Sequence, residues 1–177
     1  SITEEAEEDG QYGSIASRYT KALARSMSST KEIKAANVLN NATSTNGGDG
    51  ATLLSTSHPT TNGNQSNTLA TAADLSETSL ESILIQIADM KDDRGLRIAA
   101  QGTQLIIPTA YTFVAERLLE SQLRTGTADN DINAIRSGGY LPKGYHVMRR
   151  LTDSDQFFVQ TDVPDGLKMF QRSPMKK

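Results

Sequence analysis

A chain of 177 residues can form one domain or two small ones, and a monomer of that size should bury about 70% of the surface its unfolded form exposes. Its apolar supply is thin for so much burial, at 36% hydrophobic and 5% aromatic with no Trp, where folded monomers carry about 45–50% apolar residues counting Gly. A net charge of −3 with both signs mixed offers no basic field for nucleic acid, and the absence of Cys excludes disulfides, thiolate metal sites and Cys nucleophiles.

Thin apolar content predicts long loops, buried area supplied by neighbouring subunits, or both. The sequence holds no long apolar run and no signal-peptide core, so it predicts neither a membrane-spanning helix nor a recognisable export signal. It opens at Ser1, and residues 1–10 are acidic (Glu4, Glu5, Glu7, Glu8, Asp9), as suits a solvated arm or the first turn of a helix.

From Gln11 to Ala42 there is no Pro and one Gly, Gly13. Ile15, Tyr19, Leu23 and Met27 recur every four residues, and Ile33, Ala36 and Asn40 continue the stripe. This predicts a long helix with a narrow apolar face, interrupted at Ser26 to Thr30 where the stripe pauses. A narrow stripe cannot enclose itself; it needs a sheet beneath it or a neighbouring chain.

Residues 43–73 are Thr, Ser, Asn, Gly and Ala with one charge, Asp49. Such a run buries too little apolar surface to offset about 1–2 kcal/mol of backbone ordering per residue, so it reads as a long functional or disordered loop. Leu53, Leu54 and His58-Pro59 are expected to tie down its middle.

The next helix is well marked. Ser76 is its N-cap, Leu75 staples onto Leu80, and Leu80, Ile83, Leu84, Ile87 and Ala88 form one core-facing stripe. Gly95 suits the left-handed position just past its end. Gln104 to Pro108 reads as a short buried strand stopped by Pro108. Tyr111, Val114, Ala115 and Leu118 mark a helix running to about Arg124, followed by a polar loop, Thr127 to Asp131, and a helical turn at Ile132 to Arg136. Tyr145 to Arg149 and Gln156 to Gln160 read as two strands joined by Thr152 to Asp155, and Leu167 to Arg172 as a third after the Asp165-Gly166 turn. The order predicts an α+β fold, helices flanking a mixed sheet.

The chemistry is sparse. His58 and His146 have neither helical spacing nor Cys to help them bind metal, and His58 is expected to hydrogen-bond within its own loop. Asp129-Asn130-Asp131 fails the calcium-loop template, because Ala134 and Tyr140 stand where Gly and Glu are required; Asx-type turns are expected instead. Asp92-Asp93 invites the same question. No Gly-x-Ser-x-Gly elbow occurs, and Gly47 to Gly50 lacks the Lys-Ser/Thr of a phosphate loop and reads as a turn. Arg149-Arg150 and Lys176-Lys177 read as solvated basic pairs. No catalytic, cofactor-binding or metal-ligating residue is assigned.

Several segments, in order, resemble the major capsid (head) proteins of tailed bacteriophages, in the branch of the Mu-like major head subunits. The closest are Asn37 to Ala42, Ser57 to Pro59, Asp74 to Leu80, Met90 to Ile98, Leu105 to Pro108, Thr127 to Asn133 and Asp162 to Arg172. The resemblance spans about Thr30 to Arg172 and includes no catalytic signature. It implies the Hong Kong 97-type capsid fold, in which a long spine helix lies over the sheet of a peripheral domain and an axial domain clusters around capsomer axes. Carried over, residues 1–45 hold the N-terminal segment and spine helix, 46–73 the polar loop, 74–160 the axial domain, and 161–177 the return strand and tail toward the peripheral domain.

The same resemblance implies a structural subunit of an icosahedral shell, forming pentamers and hexamers around DNA. It would reside in the virion, and in the host cytoplasm before assembly. Scaffold, portal and protease are the implied partners, with no specific nucleic-acid site and no membrane. Such chains carry an N-terminal arm and an extended hairpin before the spine helix; nothing before Gln11 can form either, so the expectation is the later part of a longer capsid protein, or a reduced relative. Some capsids of this fold join a Lys to an Asn covalently, and no such pair is assigned here. The alternative reading is a small α+β ligand-binding or adaptor module using the 43–73 loop as its binding element.

Overall fold

The computed structural model describes residues 12–124, 131–164 and 166–170. Its first element, α1 (Tyr12–Asn40), runs 29 residues without the expected interruption. Two hydroxyls that could have opened it are absorbed within it: Thr20 and Thr30 donate to the carbonyls of Ala16 and Ser26, four residues back.

The polar segment after α1 is folded rather than open. It forms a two-stranded antiparallel hairpin, β1 (His58–Thr60) and β2 (Gly63–Gln65), with Thr60 opposite Gly63. An isolated bridge between Asn46 and Thr52 closes the Gly-rich turn ahead of it.

Helix α2 (Glu77–Ala88) begins as its sequence marks it. The Ser76 hydroxyl accepts from the Ser79 amide at 3.2 Å, and the Ser79 hydroxyl accepts from the Ser76 amide at 2.9 Å. Ser79 takes the role usually given to Glu or Gln at this position, and being short it stays buried. Leu75 and Leu80, the expected staple, are both in the core. The C-terminal expectation is corrected: Asp89 caps the helix, and Gly95, although left-handed at φ 87°, lies six residues later in a separate turn.

β3 (Gly102–Ile107) is the middle strand of the three-stranded main sheet. Its pairing with β4 (Tyr145–Val147) is parallel and with β5 (Phe158–Thr161) antiparallel, so β4 and β5 flank β3 rather than pairing with each other. Parallel neighbours need a long crossover. Here it runs through a 3-10 turn (Thr109–Tyr111), α3 (Thr112–Glu120) and α4 (Ala134–Gly138). Pro108 ends β3 as expected, its φ of −71° starting the 3-10 turn.

Alternation along β3 sends Leu105 and Ile107 to one face, where both are fully buried with Leu75, Leu80, Ala115, Leu119, Ile135 and Leu141. Side chains of α2 (Leu80) and of the crossover helices (Ala115, Leu119, Ile135) pack on that face, while Phe158, opposite Ile106, is buried on the other, in an α+β arrangement. Gly102 fits because nothing larger does: a Cβ there would lie 2.8 Å from Leu84 Cδ2 and 3.1 Å from Val159 Cγ1.

Helix α3 stops four residues short of the expected Arg124, and Asn133 explains why. Its buried side-chain amide donates to the carbonyls of Leu118 and Ser121 at 2.7 and 3.1 Å, while its oxygen accepts from the amides of Ile135 and Arg136 to open α4. One side chain thus ends a helix and starts the next. The third expected strand is corrected as far as it is described: residues 166–170 form no strand, and 171–172 lie outside the described residues. Asp129 and Asn130 also lie outside them.

Urea unfolding should rank three substitutions. Leu105→Ala is expected to cost about 2–5 kcal/mol through a core cavity, Asn133→Ala about 2–4 kcal/mol by stranding several backbone groups, and Ser76→Ala about 1 kcal/mol. Equal costs for Asn133→Ala and Ser76→Ala would refute the double-capping role of Asn133.

Candidate assembly interface

Twenty-nine residues at 1.5 Å each make α1 about 43 Å long, yet among its described side chains only Ala36 is buried. The attachment is local and polar. Asn40 donates to the carbonyl of Arg150 at 3.1 Å and accepts from the amide of Thr152 at 3.1 Å. Arg150 reaches back, donating to the Ser29 hydroxyl at 2.8 Å and pairing with Glu32 at 3.8 Å. The basic pair expected to be solvated is thus, at Arg150, a strut fastening the helix to the turn after β4. Sequence reasoning missed it because the partners lie more than a hundred residues apart.

At about 100° per residue, Ser29, Glu32, Ala36 and Asn40 share one face of α1, while Tyr19, Leu23 and Met27 lie about 100–180° around the helix from Ala36 and Ile33 lies nearer, about 60° from it. Those four are exposed, Tyr19 at 65% and Leu23 at 62%. Tyr19, Leu23 and Met27 therefore point away from the face through which α1 is fastened. The tail is bare as well: Leu167, Met169 and Phe170 are 68%, 77% and 87% exposed.

The 43–73 segment contrasts with both, because many of its polar groups are bonded within the chain. The Asn67 side chain accepts from the Ser55 amide and donates to the Leu53 carbonyl, both at 2.8 Å. Gln86 on α2 donates to the carbonyls of Ser66 and Thr68, and Leu54 donates to that of Ala42. The hairpin tip is held by the turn after α2. Thr61 donates its amide and its hydroxyl to Asp93, and Gln65 donates to the Asp92 carbonyl. The Asp92 carboxylate accepts from the amides of Arg94 and Leu96, so Asp92 and Asp93 organise backbone. Gly95 must be Gly here: its φ is 87°, and a Cβ would collide with the Asn62 side chain.

Within the same segment His58 Nδ1 lies 2.7 Å from Asp49 Oδ2, the intra-loop bond expected of it. A carboxylate only accepts, so Nδ1 carries the proton. This bond, ahead of the Ala51 amide that also donates to the carboxylate, holds the Asp49 carboxyl below its ordinary value of 3.8. His146 is exposed on β4, and among the described residues no group of three or more His, Asp or Glu is placed to hold a metal ion. An open depression lined by Gln122, Ile132, Asn133, Arg136 and Ser137 has its Asn133 amide committed to backbone. No described helix is long and apolar enough to cross a membrane.

The family model described as "Phage capsid protein" matches residues 1–174. The chain belongs to that phage capsid family. No curated protein and no solved structure matches it. Membership makes the capsid chain a structural protein of the virion rather than an enzyme, assembling with other capsid subunits.

Two measurements check the loop. The Asp49 carboxyl is depressed on folding, so its contribution to loop order is fully present above its unfolded value and lost as pH falls through the lower folded value. NMR titration should show the Ala51 amide moving in that acid window, and Asp49→Asn should abolish the movement; an unchanged titration in the variant would remove Asp49 as the cause. Gly95→Ala should raise hydrogen exchange across residues 58–65 by about tenfold or more, and unchanged exchange would show that the hairpin tip does not depend on that turn.

Proposed function

We propose that this chain is a shell-forming subunit of a tailed-phage or prophage icosahedral capsid, with a Hong Kong 97-type architecture in the branch of the Mu-like head subunits. α1 serves as the spine helix, residues 74–160 as the axial domain, and residues 161–177 as the return segment. Copies close into pentamers and hexamers that enclose packaged DNA, with scaffold, portal and protease as assembly partners and the host cytoplasm as the place of assembly.

The observation that carries this reading is a helix about 43 Å long, of whose described side chains only Ala36 is buried against its own chain. A helix left so bare in water draws little stability from propensity alone and needs tertiary or quaternary packing. Repetition lets each such contact be weak, because every subunit in a shell makes several at once. A binding module built on the 43–73 loop fits less well, since amides and carbonyls it would offer a ligand are already paired within the chain.

The test is light scattering and negative-stain imaging of the purified protein beside Leu23→Glu. The parent should form rings or shells. The variant should lose assembly by at least about tenfold, while its melting temperature stays within about 2 °C because Leu23 is exposed. A parent that remains monomeric at high concentration, or a variant that assembles normally, would refute the reading.

A further inference from the structure

We infer that α1 pairs with α1 of a second copy of this chain, antiparallel and crossing at Leu23. This contact rests on the capsid-subunit reading and names one partner surface within it.

Ile15, Tyr19, Leu23 and Met27 stand four residues apart, so they form one ridge that winds slowly along about 18 Å of the helix. Tyr19, Leu23 and Met27 are exposed and point away from the face fastened through Ser29, Glu32 and Asn40. The next row beside the ridge is Ala16, Thr20, Ala24 and Ser28, every one a short side chain. On the other side Ala22 and Ser26 are short as well. A ridge of large apolar side chains beside a low row fits a copy of itself. The ridge of one helix enters the groove of the other, and rows of this spacing interdigitate at a crossing angle of about −50°. A self-complementary patch of this kind makes a two-fold contact, the commonest symmetry of protein oligomers.

The charges leave the ridge clear and select its direction. Arg18, Lys21, Arg25 and Glu32 lie about 140–180° around the helix from Leu23, on the far side of the contact. Lys31 and Lys34 lie on the ridge side, eight and eleven residues beyond Leu23. In a parallel pair each would face the same lysine of its partner, and like charges brought together at an interface are costly. In an antiparallel pair centred on Leu23, Lys31 faces Ile15 and Lys34 faces Tyr12, neither of them charged. Tyr19 then meets Met27, and no base meets a base.

The fastening leaves room for the partner. Each helix is held to its own body by residues 29–40, on a face turned at least about 100° from Leu23. An antiparallel crossing therefore places the two bodies at opposite ends of the pair, neither in the way of the other helix. One helix crossing is small beside the roughly 1,600 Å² of a standard interface. The pair is therefore weak alone and persists where a shell supplies further contacts.

The chain has no Cys, so engineered disulfides report contacts without background, forming where Cα atoms come within about 7 Å. In assembled particles Leu23→Cys, at the crossing, should oxidise to a dimer at least about tenfold more than Arg25→Cys on the far face, since contact raises effective concentration to millimolar levels. Mixed particles of Tyr19→Cys and Met27→Cys subunits should give the mixed dimer in at least about tenfold excess over either same-site dimer. That mixture decides the matter if Leu23→Cys no longer assembles. Particles in which Leu23→Cys cross-links no better than Arg25→Cys, or which lack the mixed dimer, overturn the pairing and leave the capsid reading standing. Dominant same-site dimers at positions 19 and 27 overturn it in favour of a parallel pair. Failure of the parent to assemble at all removes the reading and the pairing together.

Discussion

The body is organised around β3, the central strand of the main sheet, with a neighbour on each side. Leu105 and Ile107 sit fully buried on one of its faces, and α2, α3 and α4 all bring side chains to the same cluster. Because the pairing on one side is parallel, the chain must leave the sheet and return before β4 can form. That requirement places α3 and α4 over the sheet and creates the tight corner that Asn133 holds.

The rest of the molecule hangs from this body by polar fastenings rather than by core. α1 is fixed at one end by Asn40 and Arg150, and the 43–73 segment by Gln86, Asn67 and the Thr61–Asp93 bonds. Hydrogen bonds of this kind are directional and contribute about 0.5–1.5 kcal/mol each. They orient an element without burying it. That division leaves the exposed apolar side chains of α1 outside the packing of the body.

Much of the local structure was legible in the residues. Ser76 and Leu75–Leu80 declared the start of α2, Pro108 the end of β3, and the four-residue spacing of Ile15, Tyr19, Leu23 and Met27 the long helix. Composition misleads over the 43–73 segment, since Thr, Ser and Asn lack apolar area yet supply donors and acceptors that bind backbone to side chain. Leu167 to Arg172 carries the pattern of a strand, but within residues 166–170 it has no strand beside it, and a pattern cannot supply a partner. Gly95 is left-handed as its residue type suggests but belongs to a separate turn after the helix, because the sequence marks the conformation without saying which turn owns it.

The α+β class, most element starts, the shortage of core and the resemblance to phage capsid proteins are legible in the residues, since these follow from periodicity, capping chemistry and the order of segments. Long-range packing is what sets β3 between β4 and β5, makes Arg150 a strut, and turns Tyr19, Leu23 and Met27 of α1 outward. Those facts depend on residues distant in the chain meeting in space, and on the direction in which a helix is docked. Neither is encoded in any local run of residues.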